Sequence, residues 1–345
     1  MMTAAVLYGR EDVRIEQVPI PPVGPGEVRV RIGAALTCGT DVKVFRRGYH
    51  ARMIRPPALF GHELAGEIVE VGNGISDRKV GDRVVVANSA PCDACYFCRR
   101  GLPELCEDLL FLNGAYAGYI TVPERIVRKN MPALPDHVTY TEAALTEPLA
   151  CAVRGMAESP VRPGDTVAVL GLGPIGLMFV RLCKLAGAHV LAVGRRSSRL
   201  ALAAELGADE LIDIDQEADV VHSVRARTEG ARGVDLAIEA VGRPEAWEQA
   251  IACVRKAGRV SLFGGCPADT SIRVETHRIH YDEVTLTGTF HHTPDTFRAA
   301  LNLIATGQVP AQRFISRQAP LADLPSVLSA LARGDDAVKF AIDTH

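Results

Sequence analysis

The stretch TVAVLGLGPIG, Thr166 to Gly176, decides how this chain folds. A short β-prone run leads into G-x-G-x-x-G, with Gly171, Gly173 and Gly176 in the glycine positions and Pro174 and Ile175 between the last two. A strand that ends in such a loop and opens a helix is suited to a dinucleotide pyrophosphate. The first glycine permits the tight turn, the second lets the backbone approach the phosphates, and the third lets helix and strand pack closely. The helix start adds N–H donors and the positive end of a dipole. The apolar run carries on to Val180 and stops at Arg181. A membrane span needs about 20 apolar residues, so this run reads as a buried strand and helix.

Downstream, strand-like runs (AHVLAVG, VDLAIEAVG, GRVSLFG, EVTLTG) alternate with helical patterns such as GLMFVRLCKLAGA and SSRLALAAELGA. That alternation predicts a doubly wound, parallel α/β sheet over residues 153–288. In such folds an acidic residue at the end of the second strand holds the adenosine ribose. Here Gly194 stands there, followed by Arg195 and Arg196, with Arg199 close behind. Loss of the carboxylate and gain of guanidinium groups favour a 2′-phosphate, hence NADP(H) over NAD(H).

Upstream, residues 1–152 are rich in Val, Gly and Pro. Short runs such as EVRVRIGAAL, LAGEIVEVG and DRVVVAN end in turns, which predicts a compact, barrel-like β domain. Residues 289–345 hold helical segments and a last strand-like run, AVKFAIDT. A chain of 345 residues fits two domains. With 48% hydrophobic and 23% charged residues it reads as globular, and a net charge of −3 gives no case for nucleic acid or an anionic membrane. The opening MMTAAVLYGREDVRIEQ lacks the apolar core of a signal peptide. Together with nine cysteines, an odd number, this points to a reducing, cytoplasmic setting.

Four of those cysteines, Cys92, Cys95, Cys98 and Cys106, form C-x2-C-x2-C-x7-C within SAPCDACYFCRRGLPELCED. Four thiolates close a tetrahedral zinc shell and leave no position for substrate, so the cluster holds a loop in place. An iron–sulfur site lacks its usual spacing and following proline. A nucleic-acid-binding zinc ribbon lacks the charge. A second set is dispersed: Cys38 in LTCGTD, His62 and Glu63 in LFGHELAG, and Glu147 in LTEPLACAV. Three protein ligands with one open position define a catalytic zinc site, but only a fold can bring these residues together.

With TCGTD, GHELAGEIVEVG, VGDRVVV, the four-cysteine lobe, EPLACAV and GLGPIG in this order, the chain resembles the zinc-dependent medium-chain dehydrogenase/reductase family over nearly its whole length. It looks most like the polyol branch, which includes sorbitol, galactitol-phosphate and threonine dehydrogenases. The resemblance implies a GroES-like β-barrel catalytic domain joined to a Rossmann domain, with one catalytic and one structural zinc. Cys38, His62 and Glu63 would hold the catalytic zinc, and Glu147 would bind it directly or through water. Cys151, one helical turn on, is an alternative ligand; Cys183, Cys253 and Cys266 are assigned to packing.

The implied reaction is hydride transfer between a secondary alcohol (a polyol, sugar alcohol or cyclitol) and the nicotinamide. Thr40 resembles the first proton-relay hydroxyl. Many relatives carry a histidine where this chain has Lys43, so the relay ends on Lys43, on the ribose and solvent, or elsewhere. His291 and His292 occupy the segment of substrate contacts, and Val44 stands where sorbitol enzymes have a tyrosine. An amino-alcohol or threonine-type dehydrogenase, and a non-enzymatic structural use of the fold, are the alternatives. A homodimer or homotetramer is implied.

Overall fold

The computed structural model describes residues 1–50 and 52–344. The chain divides into two units: residues 1–150 with 292–345, and residues 151–291.

In the first unit the strands are β1 (Met2–Gly9), β2 (Asp12–Val18), β3 (Val28–Leu36), β4 (Ala58–Leu59), β5 (Glu63–Val71), β6 (Arg83–Val86), β7 (Ser89–Ala90), β8 (Leu110–Phe111) and β9 (Tyr119–Val122). The helices are α1 (Gly39–Arg47), α2 (Glu124–Lys129), α3 (Tyr140–Ala143) and the start of α4 (Thr146–Glu158). β3 alternates buried and open positions along its first seven residues, so one face of the sheet lies in the core. It pairs antiparallel with β5, and β5 with β6. β1 forms a separate three-stranded sheet with β2 and β4. Val28, Val30, Ile32, Leu64, Ile68, Val84 and Tyr116 are among the buried side chains of this core.

The second unit carries the parallel sheet that the glycine-rich stretch predicts. Its strands are β10 (Thr166–Leu170), β11 (His189–Gly194), β12 (Glu210–Asp213), β13 (Val234–Glu239), β14 (Val254–Leu262) and β15 (Thr285–Gly288). Their order is β12-β11-β10-β13-β14-β15 and every pairing is parallel. The helices α5 (Pro174–Leu185), α6 (Ser197–Glu205), α7 (Val220–Ala226), α8 (Pro244–Cys253) and α9 (Thr276–His280) follow strands in turn. Four of the five residues of β10 are buried, as expected where helices cover both faces. β12 was not foreseen: ELID is too short and too charged to stand out as a strand.

The chain then returns to the first unit through α10 (Pro294–Ala305), β16 (Arg317–Pro320), α11 (Leu324–Ala332) and β17 (Phe340–Asp343). β17 pairs with β3, at Ala341 opposite Leu36 and Ile342 opposite Ala35. The last residues thus lie beside the strand that leads into α1. Among the described residues no helix is long and apolar enough to cross a membrane.

Candidate metal centres and dinucleotide pocket

The four-cysteine stretch folds back on itself through two short 3-10 turns, Cys98–Arg100 and Pro103–Leu105. The sulfurs of Cys92, Cys95, Cys98 and Cys106 all lie within 4.8 Å of one another. Backbone amides point at them: the N–H of Cys92 donates to Cys106 Sγ at 3.3 Å, and those of Ala94 and Cys95 donate to Cys92 Sγ at 3.4 and 3.3 Å. Amide donors from Cys98 and Glu107 pull the Cys95 thiol down to about 6, while burial pushes Cys98 up to about 12. No disulfide links any of the nine cysteines. Four converging sulfurs served by amide donors fit a closed tetrahedral zinc site.

A second set of donors gathers in the same unit: Cys38, His62 and Glu63 offer one sulfur, one nitrogen and one oxygen within 4.8 Å of one another. Local sequence explains how. Cys38 is the N-cap of α1, its sulfur accepting the Thr40 N–H at 3.4 Å, and Asp41 closes a capping box through the Cys38 N–H at 3.0 Å. Asp41, 1% exposed, also accepts from His62 Nδ1 at 3.1 Å and from the Tyr116 hydroxyl at 2.6 Å. With Nδ1 engaged, Nε2 is the nitrogen left for a metal, a carboxylate–histidine arrangement common around zinc. Burial alone would lower the His62 imidazole, but the Asp41 carboxylate and the Cys38 sulfur hold it well above its ordinary value.

Glu63 opens β5 and is fully buried. Lys339, just before β17 and 1% exposed, donates to both its oxygens at 2.7 and 2.6 Å and to the Thr37 carbonyl at 2.8 Å. Burial raises the Glu63 carboxyl to about 7, with the Lys339 charge opposing it.

Glu147, in the first turn of α4, is buried and its carboxyl raised by burial, with the His62 and Lys339 charges drawing it back down. Asn88 donates to Glu147 Oε1 at 3.0 Å, and its own Oδ1 lies 2.9 Å from His292 Nε2. The acceptor role of that amide oxygen places the His292 proton on Nε2. Burial depresses the His292 imidazole to about 3. Thr40 is half-buried beside Cys38, and Lys43 is on the exposed side of α1. Val44 is buried in the core. His291 belongs to the other unit, half-buried and stacked on Phe290 at 5.5 Å between ring centroids. Cys151 is half-buried; Cys183 and Cys253 are wholly buried and burial pushes both thiols up to about 12, while Cys266 is half-buried.

Sequence reasoning missed Asp41, Tyr116, Asn88 and Lys339. Only Asp41 had a local signal, the S/T/C-x-x-D/E shape of a capping box in CGTD.

In the second unit a cavity of about 510 Å³ lies at the glycine loop. Gly171, Gly173, Gly194, Arg195, Arg196 and Arg199 are among the residues lining it. A Cβ on Gly176 would sit 1.7 Å from the Gly171 carbonyl oxygen, so the helix meets the strand only with glycine here. α5 starts with Pro174, and Gly173 gives it no side-chain cap, which leaves the first-turn amides for an anion. Arg199 is 7% exposed and donates to the Leu172 carbonyl at 3.4 Å, so part of its hydrogen bonding serves the loop itself. These features fit a bound dinucleotide.

Residues 24–135 match the family model described as alcohol dehydrogenase GroES-like domain, and residues 174–306 match zinc-binding dehydrogenase. The chain is 33% identical over 324 residues to a sorbitol dehydrogenase of Bacillus subtilis (strain 168), covering 92% of this chain and 90% of the relative. It is 36% identical over 325 residues to an L-threonine 3-dehydrogenase of Pyrococcus abyssi, with the same coverage of 92% and 90%. Among solved structures, a zinc-binding dehydrogenase from Sinorhizobium meliloti 1021 bound to NADP superposes with a TM-score of 0.92 at 32% identity, covering 99% of each chain.

Proposed function

The chain belongs to the zinc-dependent medium-chain alcohol dehydrogenase family, and from that premise we propose that it oxidises a secondary alcohol bearing further hydroxyls, with NADP⁺ preferred. It is an NAD(P)-dependent zinc dehydrogenase. The observation that carries the reading is the convergence of Cys38, His62 and Glu63 donor atoms, with Glu147 near enough to feel the His62 charge. We assign the catalytic role to residues 1–152 with 289–345, and the dinucleotide role to 153–288.

When bound, zinc acts as a Lewis acid on the alcohol and the nicotinamide accepts the hydride. The chain's own residues do the rest. Asp41 fixes the His62 tautomer so that Nε2 faces the donor set. Cys38 would supply the sulfur ligand, and the Thr40 N–H on that sulfur holds its orientation. Lys339 sets the orientation of Glu63. Glu147, held by Asn88 at Oε1, supplies a carboxylate for the metal or its water. Thr40 passes the alcohol proton outward, towards Lys43 or solvent. His292 forms part of the wall against which the substrate is held, and His291 is a second candidate contact. Cys92, Cys95, Cys98 and Cys106 hold a structural zinc.

The polyol, sugar-alcohol or cyclitol class is supported by the sorbitol dehydrogenase relative and by Glu147-Pro148. An amino-alcohol substrate is the second reading, supported by the threonine dehydrogenase at 36% identity. Named dehydrogenases among the relatives favour enzymatic over structural use of the fold. We assign a cytoplasmic location and a homodimer or homotetramer, as the family resemblance implies. The test is kcat/KM with NAD⁺ and NADP⁺ in parallel over polyols, cyclitols, hydroxy amino acids and simple secondary alcohols. The highest value should fall on a polyol or cyclitol with NADP⁺; a maximum on L-threonine overturns the substrate class.

A further inference from the structure

We infer that Glu239 is the positioning residue of the dinucleotide pocket, clamping the turn after β13 against the glycine loop; this rests on reading that cavity as the dinucleotide site. The sheet order reverses between β10 and β13, and ligands of doubly wound sheets bind at that switch point. Glu239 is the last residue of β13 and has no exposure to solvent. Its Oε1 accepts the N–H groups of Val241 at 2.7 Å and Gly242 at 2.8 Å. Its backbone carbonyl accepts those of Phe263 at 3.1 Å and Gly264 at 2.9 Å. One residue therefore ties the loops after β13 and β14 together.

The clamped turn is part of the pocket. Ala240, Val241 and Arg243 line the cavity, and the Ala240 N–H donates to the Leu170 carbonyl at 2.9 Å, at the end of β10. A Cβ built on Gly171 would lie 2.6 Å from Val241 Cγ2, so the turn packs directly on the first glycine of the loop. A displaced turn would press into the space the glycine leaves for the phosphates. Burial raises the Glu239 carboxyl, and the amides of Gly242 and Val241, with Trp247 and Gly264 beside it, draw it back down.

Because the clamp shapes the loop shared by both dinucleotides, its loss should weaken NADP⁺ and NAD⁺ alike. Calorimetric titration of the zinc-loaded chain with each dinucleotide tests this. Glu239→Ala, and Glu239→Asp, whose shorter side chain falls short of the amides, should raise both dissociation constants about tenfold and leave their ratio unchanged. Glu239→Gln keeps an acceptor oxygen for both amides and should bind within about threefold of wild type. Wild-type binding by the Ala and Asp variants, equal losses in Gln and Ala, or a change confined to one dinucleotide each overturns the clamp. Should Ala fail to fold, the Asp and Gln pair decides alone. A wild-type chain that binds neither dinucleotide overturns both the clamp and the pocket on which it rests.

Discussion

Lys339 Nζ lies 2.7 and 2.6 Å from the two carboxylate oxygens of Glu63, both residues sealed from solvent, across a sequence separation of 276 residues. Breaking one half of a buried ion pair leaves the other charge stranded, at a cost of about 3–5 kcal/mol. In the zinc-free chain Lys339→Met should lose part of that stability in urea denaturation, since the Glu63 carboxyl, already raised to about 7, can protonate once the lysine is gone. Lys339→Met with Glu63→Gln should recover much of it, since no charge is then stranded. A single variant as stable as wild type would show the pair to be inert.

The two sulfur-bearing sites should part company on metal removal. Cys95→Ser should cost one zinc per chain and lower the thermal midpoint, because structural zinc contributes folding energy. Cys38→Ala should abolish turnover with the fold kept. The check is metal content alongside calorimetry; two zincs retained in Cys95→Ser would refute the structural assignment.

Glu147→Ala should reduce kcat by about 100-fold, in the range typical for a lost acid–base or charge-positioning group. Dinucleotide affinity should change far less. Wild-type kcat on the best substrate would mean that another group, such as Cys151, supplies the ligand.

Arg195→Ala with Arg196→Ala should lower kcat/KM for NADP⁺ by about ten- to a hundredfold, the worth of a charge-assisted contact of about 1.5–3 kcal/mol. NAD⁺ should be nearly unaffected. Installing a carboxylate by Gly194→Asp is a less clean probe, since a Cβ there would meet Leu172 Cγ at 2.7 Å. Equal loss for both dinucleotides would remove the arginines from 2′-phosphate recognition.

His292 gives a pH dependence of definite sign. Its folded imidazole titrates at about 3, against an ordinary value of 6.5. The unfolded chain therefore takes up this proton first, and the associated stability is present above pH 6.5 and lost as pH falls towards 3. The slope in that window is about 1.4 kcal/mol per pH unit. His292→Gln should flatten the fall in stability between about pH 6 and pH 4. Parallel curves for variant and wild type would assign the acid sensitivity elsewhere.

What could be read in the sequence was what is local. The glycine loop, the four cysteines and the strand–helix alternation declare themselves within short windows, because turn geometry, ligand spacing and periodicity are set by near neighbours. Cys38, His62 and Glu63 were findable by motif, but nothing in the spacing of residues 38, 62 and 63 says that their donor atoms meet. Lys339 and Asn88 carried no signal at all. A lone lysine before a strand is usually solvated, and an asparagine after one is usually a turn. β12 was lost for a related reason: a four-residue edge strand is defined by its neighbour β11 more than by its own composition.

The return of residues 292–345 to the first unit also has a bearing on biosynthesis. While a ribosome is still making the chain, Glu63 has emerged long before Lys339. At about 5–20 residues per second, the 276 residues between them take roughly 14–55 s to translate. Throughout that interval the nascent first unit lacks both the counter-charge of Glu63 and the last strand beside β3. The four-cysteine lobe, complete by Cys106, has no such wait. The lobe can therefore close as soon as it is made, whereas the ion pair that orients Glu63 is completed only near the end of synthesis.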